Sequence, residues 1–91
     1  MASEPEKNKF YVLVRGKAQK NIAKIPQPWQ ARLVEALTVL ETDPFVGEKL
    51  WGKLADCYKY RIWPYRIEYR VLLKERVVYV FRITHRQGAY T

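Results

Sequence analysis

Three consecutive runs toward the end of the chain alternate residue types at period two: YKYRIW from Tyr58, PYRIEYRVLLK from Pro64 and RVVYVFRITHRQGAY from Arg76. Such alternation marks strands with two unlike faces. Little more than Pro64 separates the first two runs, and Lys74-Glu75 the last two, so they read as an antiparallel meander. On the middle strand Tyr65, Ile67, Tyr69, Val71 and Leu73 form one face, and Arg66, Glu68 and Arg70 the other. On the first, Lys59 and Arg61 oppose Tyr58, Tyr60 and Ile62; on the last, Arg82 and Arg86 oppose Val77, Tyr79, Phe81 and Ile83. A meander brings the polar parities together. The resulting face carries Lys59, Arg61, Arg66, Arg70, Arg82 and Arg86 against one carboxylate, Glu68.

Upstream, Phe10 to Val14 is a continuous apolar run of strand length and predicts a buried first strand, broken by Gly16. Lys17 to Ile25 places Ala18, Ile22 and Ile25 at helical spacing and predicts a short amphipathic helix ended by Pro26. Pro28 suits the first turn of a second helix, where its missing N–H costs nothing. That helix has a core stripe of Trp29, Leu33, Leu37 and Leu40, with Ala36 beside it, and ends at Thr42-Asp43-Pro44. The helices form an antiparallel hairpin and are the available cover for the sheet's apolar face. The stretch from Phe45 to Leu54 predicts an ordered connector. The predicted fold is α+β, in the order βααβββ, with the helical hairpin packed on one face of a mainly antiparallel twisted sheet. Residues 1–9 read as a flexible tail and 10–91 as a single domain; which strand the first one joins is left open.

At 91 residues the chain can bury a modest core, and 48% hydrophobic with 14% aromatic residues makes it globular. The net charge of +8 is uneven: Met1 to Glu48 holds seven Lys/Arg against six Asp/Glu, and Lys49 to Thr91 holds ten against three. A basic half of this kind suits nucleic acid. No stretch has the length and apolarity of a transmembrane helix or signal segment, so a cytoplasmic protein without a membrane partner is expected. Cys57 is the only cysteine, which excludes a disulfide framework, and with one His it makes no zinc site.

The chain has no phosphate-cradling glycine loop, no carboxylate pair for two-metal chemistry, and no evident Ser/His/Asp or Cys/His set. Its equipment is Arg, Lys, Tyr and one His. That set suits a reaction that needs no metal or cofactor, the cleavage of RNA by its own 2′-OH. A base takes the 2′ proton, an acid protonates the leaving 5′-oxygen, and cations hold the charge that builds on phosphorus. Arginine clamps phosphate with its planar fork; a lysine or tyrosine crowded by arginines is the better base. DNA lacks the 2′-OH, so the same set does not cut it.

The order of strand, helical hairpin and meander, with PYRIEYRV in the middle strand and RITHRQGAY at the end, resembles the RelE/ParE toxin superfamily, and within it the RelE branch. The resemblance spans nearly the whole chain after the tail. It implies a ribosome-dependent mRNA endonuclease that cuts the A-site codon, a cognate antitoxin of the RelB class, and a toxin that is monomeric until its antitoxin joins it. Position by position, it implies that Arg66 holds the scissile phosphate. Arg86 then stabilises the transition state or protonates the leaving oxygen, and Tyr90 orients the nucleotide or takes the 2′ proton. Lys59 and Arg61 fall on a pair of lysines near the cleavage site; Lys59 is the other candidate base, and Arg61 a phosphate clamp. Arg70, Arg82 and Lys53 are expected RNA contacts. Some relatives use a His beside the C-terminal Tyr and a connector Glu, which makes His85 and Glu48 further candidates, although strand parity turns His85 away from the basic face.

Each of these residues has a plainer explanation. Lysines and arginines on a strand are often a solvated surface, and Tyr58, Tyr60, Tyr65, Tyr69 and Tyr79 are expected to be packing residues. The cluster as a whole is harder to dismiss, because like charges opposite one another weaken a sheet. Two other functions fit the same fold: a ParE-like toxin that inhibits DNA gyrase without cutting RNA, and a non-catalytic module that binds ribosomal RNA.

Overall fold

The computed structural model describes residues 9–50, 56–86 and 88–89. Its elements are β1 (Tyr11–Val14), α1 (Gly16–Ala23), α2 (Trp29–Thr42), β2 (Glu48–Lys49), β3 (Cys57–Ile62), β4 (Tyr65–Leu72), β5 (Val77–His85) and β6 (Gly88–Ala89). The sheet runs β1-β5-β4-β3-β2, with β6 also on β5. β1 is parallel to β5 and every other pairing is antiparallel. The α+β plan is the expected one, with two-residue strands added at its borders.

The core lies between the hairpin and the sheet face built from Tyr65, Ile67, Tyr69 and Val71 of β4 and Val78, Val80 and Ile83 of β5. Leu33, Ala36 and Leu40 of α2 enter it, with Trp29 and Leu37 at its margin, as the helical stripe requires. α1 contributes Ala18, and Ile25 is buried just beyond it. α1 also buries Asn21, whose Oδ1 accepts the Ile83 N–H at 3.4 Å. Ile83 lies in the gap that β1 and β6 leave along β5, so this side chain satisfies a backbone donor where no strand does.

Two expectations are corrected. β1 is not a buried strand but the edge of the sheet. Val12 and Val14 pack toward the helices, while Tyr11 and Leu13 are 66% and 44% exposed because nothing among the described residues covers the other face there. The second correction concerns β5. Glu68 pairs with Arg82, but Tyr69 pairs with Val80, so Phe81 is an extra residue, a β-bulge. The bulge exchanges the faces of the strand. Val78 and Val80 are buried before it and Ile83 after it. Val77 and Tyr79, paired with Leu72 and Arg70, therefore share the open face with Arg82 instead of opposing it.

Candidate functional site

The registers lay the open face out in cross-strand rows. One row holds Glu48, Lys59, Glu68 and Arg82 across β2, β3, β4 and β5, alternating in sign. The next row, toward the turn between β3 and β4, holds Arg61, Arg66 and Thr84. The row on the other side holds Cys57, Arg70 and Tyr79. Successive rows lie about 7 Å apart, at two residues per row. Lys59, Arg61, Arg66, Arg70 and Arg82 thus share one face, and Arg86 follows just past the end of β5. Its backbone N–H donates to the Pro64 carbonyl at 2.8 Å, and its guanidinium lies 5.1 Å from the centre of the Trp63 ring. Arg86 is therefore held at the same end of the face as Arg61 and Arg66. Trp63 shares strand parity with Lys59 and Arg61, but its pairing with Arg86 is legible only once β5 lies in register on β4.

The face holds more negative charge than the meander alone supplies. Lys59 Nζ and an Arg61 nitrogen lie 3.9 and 3.5 Å from the same Glu48 oxygen. Arg70 lies 3.8 Å from Asp56. Arg82 donates through Nε at 2.9 Å, and through a second nitrogen, to one oxygen of Glu68. Glu68 is 9% exposed, and a carboxylate so placed needs such a partner. Glu48 and Asp56 are exposed, and exposed pairs are worth about 0–1 kcal/mol, so a stronger anion displaces them readily. Among the described residues, Arg66 and Arg86 alone of these cations have no carboxylate partner. Thr84, the cross-strand partner of Arg66, keeps its Oγ1 buried without a hydrogen bond.

Glu48 reaches the face because the connector forms β2, which carries no period of its own. Tyr69 pins this connector from below: its hydroxyl donates to the Pro44 carbonyl at 2.8 Å and accepts the Gly47 N–H at 3.1 Å. Burial pushes the Tyr69 phenol up to about 12. Gly47 comes so close that a Cβ there would meet the Lys59 carbonyl oxygen at 2.5 Å. Glycine is the residue that lets Glu48 lie beside Lys59.

The remaining candidates separate. His85 pairs with Tyr65 on the helix-facing parity, the rings edge-on with centres 5.1 Å apart, away from the basic face. Cys57 is buried, and burial pushes its thiol up while Arg70 pulls it down. Lys53 and Tyr90 lie outside the described residues. Among the described residues no group of His, Cys, Asp and Glu that could hold a metal comes together, and no helix is long and apolar enough to cross a membrane.

Residues 12–90 match the family described as the ParE toxin of the type II toxin–antitoxin system parDE. The chain is 29% identical over 86 residues to a Methanocaldococcus jannaschii protein that carries the name toxin RelE1, covering 90% of this chain and 96% of that protein. Among solved structures it is similar to the toxin–antitoxin complex RelBE2 of Mycobacterium tuberculosis, with 28% identity, a TM-score of 0.78, and coverage of 85% of this chain and 98% of the other. It is also similar to the archaeal RelE–RelB complex of Pyrococcus horikoshii, with 25% identity, a TM-score of 0.77 and coverage of 86% and 96%. These similarities take in β1, the helical hairpin and the basic sheet together, and the chain belongs to the RelE/ParE toxin family of type II toxin–antitoxin systems.

Proposed function

We propose that this toxin is a ribosome-dependent mRNA endonuclease that cuts A-site codons and so arrests translation. The reading rests on Arg66 and Arg86, which stand at one end of the basic face without a carboxylate partner among the described residues, while each of their neighbours lies against a carboxylate. Two guanidinium groups at one place with no carboxylate on them among the described residues suit a phosphate whose charge rises during reaction. The 2′-oxygen attacks the adjacent phosphorus, the bond from phosphorus to the 5′-oxygen breaks, and the products are a 2′,3′-cyclic phosphate and a 5′-hydroxyl. Arg66 clamps the scissile phosphate. Arg86, steadied by Trp63, meets the developing charge or protonates the 5′-oxygen. Lys59 or Tyr90 takes the 2′ proton, and Arg61, Arg70, Arg82 and Lys53 hold the flanking backbone. His85 faces the helices and has no part in this scheme. Glu48 pairs with Lys59 and Arg61 until RNA arrives. The ribosome supplies substrate positioning, which carries a large share of such a barrier. These cations need no metal beside them, and the place of action is the cytoplasm.

The cognate partner is a RelB-type antitoxin, supported by the M. tuberculosis and P. horikoshii likenesses, which are complexes with one. Its acidic side chains would pair with Arg66 and Arg86.

The test is a primer-extension toeprint on a defined mRNA translated in vitro. Wild type should cut within the A-site codon, and Arg66→Ala should cut about 10²–10³-fold more slowly, the loss expected for one transition-state donor. The ParE description of the matched family favours one other reading, a gyrase inhibitor. Intact mRNA with both proteins, together with inhibited DNA supercoiling by wild type, would establish that reading instead.

A further inference from the structure

Arg15, Lys17, Lys20 and Lys24 are all exposed, and among the described residues none of them pairs with a carboxylate. Lys17, Lys20 and Lys24 fall at spacings of three and four, which puts them on one ridge about 10 Å long. The fold gains nothing from this arrangement. Like charges at these spacings weaken a helix. Lys17 sits in the first turn of α1, which contains no acidic residue, at the end where the helix dipole disfavours a cation.

The ridge borders two grooves. One, of about 500 Å³, is lined by Gly16, Lys17, Lys20, Asn21 and Lys24. The other, of about 430 Å³, lies over the bulge of β5 and is lined by Arg15, Lys17, Leu50, Glu68, Phe81 and Arg82. Lys17 is a wall of both, so a line of positive charge starts at Arg15, beside the Glu68–Arg82 pair, passes Lys17 and continues along α1. We infer that this line is a second binding track for the sugar–phosphate backbone of RNA, separate from the cleavage residues and leading away from them. RNA suits it better than a lipid surface does. α1 turns Ala18 and Asn21 inward and shows Lys17, Gln19 and Lys20 outward, without the large exposed apolar residues that a membrane-lying helix inserts. The choice of RNA rests on the RNA-directed function proposed above; the existence of an anion track does not.

The triple variant Lys17→Gln/Lys20→Gln/Lys24→Gln tests it beside a control with the same change in charge, Arg32→Gln/Lys49→Gln/Lys74→Gln. Both sets are exposed positions, and circular dichroism checks that each variant folds. Affinity for a fluorescein-labelled, fully 2′-O-methylated RNA strand, which cannot be cut through its 2′ position, is followed by anisotropy across salt concentrations. The α1 variant should lower the slope of log K against log salt by about 2, at about 0.7 per lost phosphate contact, and the control should leave it unchanged. Equal slopes for the two variants would overturn the track, as would no RNA binding by wild type at low salt. Loss of binding to phosphatidylserine vesicles with RNA binding retained would assign the ridge to a membrane and overturn it also. Arg66→Ala is measured in parallel. If neither it nor wild type cuts translated mRNA while the α1 slope still falls, the cleavage proposal has failed and the track stands.

Discussion

At the scale of single residues, Tyr69 joins the core to the site. Its ring is fully buried and its hydroxyl is used in both directions, toward Pro44 and from Gly47. Tyr69→Phe leaves two connector groups to find other partners and should cost about 1–3 kcal/mol in urea unfolding. The pH dependence follows from its phenol, raised to about 12 by burial against about 10 when unfolded. Above pH 10 the unfolded chain loses the proton first, so stability falls as pH rises from 10 toward 12, by roughly 2–3 kcal/mol from this group. The fall should be smaller in Tyr69→Phe, which a comparison of urea midpoints at pH 9 and pH 11 checks. Strand parity marks Tyr69 as a packing residue from the sequence. Its hydroxyl partners were not legible, because they lie 25 and 22 residues upstream in a stretch without a period.

At the scale of elements, regular periods were readable and short or irregular pieces were not. The stripe of α2 is the clearest case, since Leu33 and Leu40 end fully buried. Leu33→Ala should cost about 2–5 kcal/mol of stability, read from the same unfolding curves. The alternation of β3 and β4 placed Lys59, Arg61, Arg66 and Arg70 on one face, as observed. β1 misled because an apolar run looks the same at an edge as in the middle of a sheet. β2 is only two residues long, yet it carries Glu48 to Lys59 and Arg61. Gly47→Ala should displace it, with a loss of stability and a changed chemical shift at the Lys59 amide, because the added Cβ has backbone in its way.

At the scale of the whole molecule, a surplus of +8 is held partly in check by a few carboxylates. Glu48→Gln should tighten binding of the uncleavable RNA up to about fivefold at low salt, fading as salt rises, in keeping with an exposed pair worth at most about 1 kcal/mol. The uneven charge pointed to a polyanionic partner; how far that charge is paired within the face was not legible, since Glu48 and Asp56 become neighbours of these cations only through pairing and turns. The bulge at Phe81 has a consequence of its own. It works as a phase correction: up to Val80 the even-numbered residues of β5 face the helices, and from Ile83 the odd-numbered ones do. Removing Phe81 would join the two halves into one regular alternation, with Val80, Arg82 and Ile83 opposite the same β4 partners and on the same faces, whereas flattening the bulge with Phe81 retained would turn Arg82 inward and Ile83 outward. At this point in the chain, β5 carries one residue more than its pairing with β4 uses.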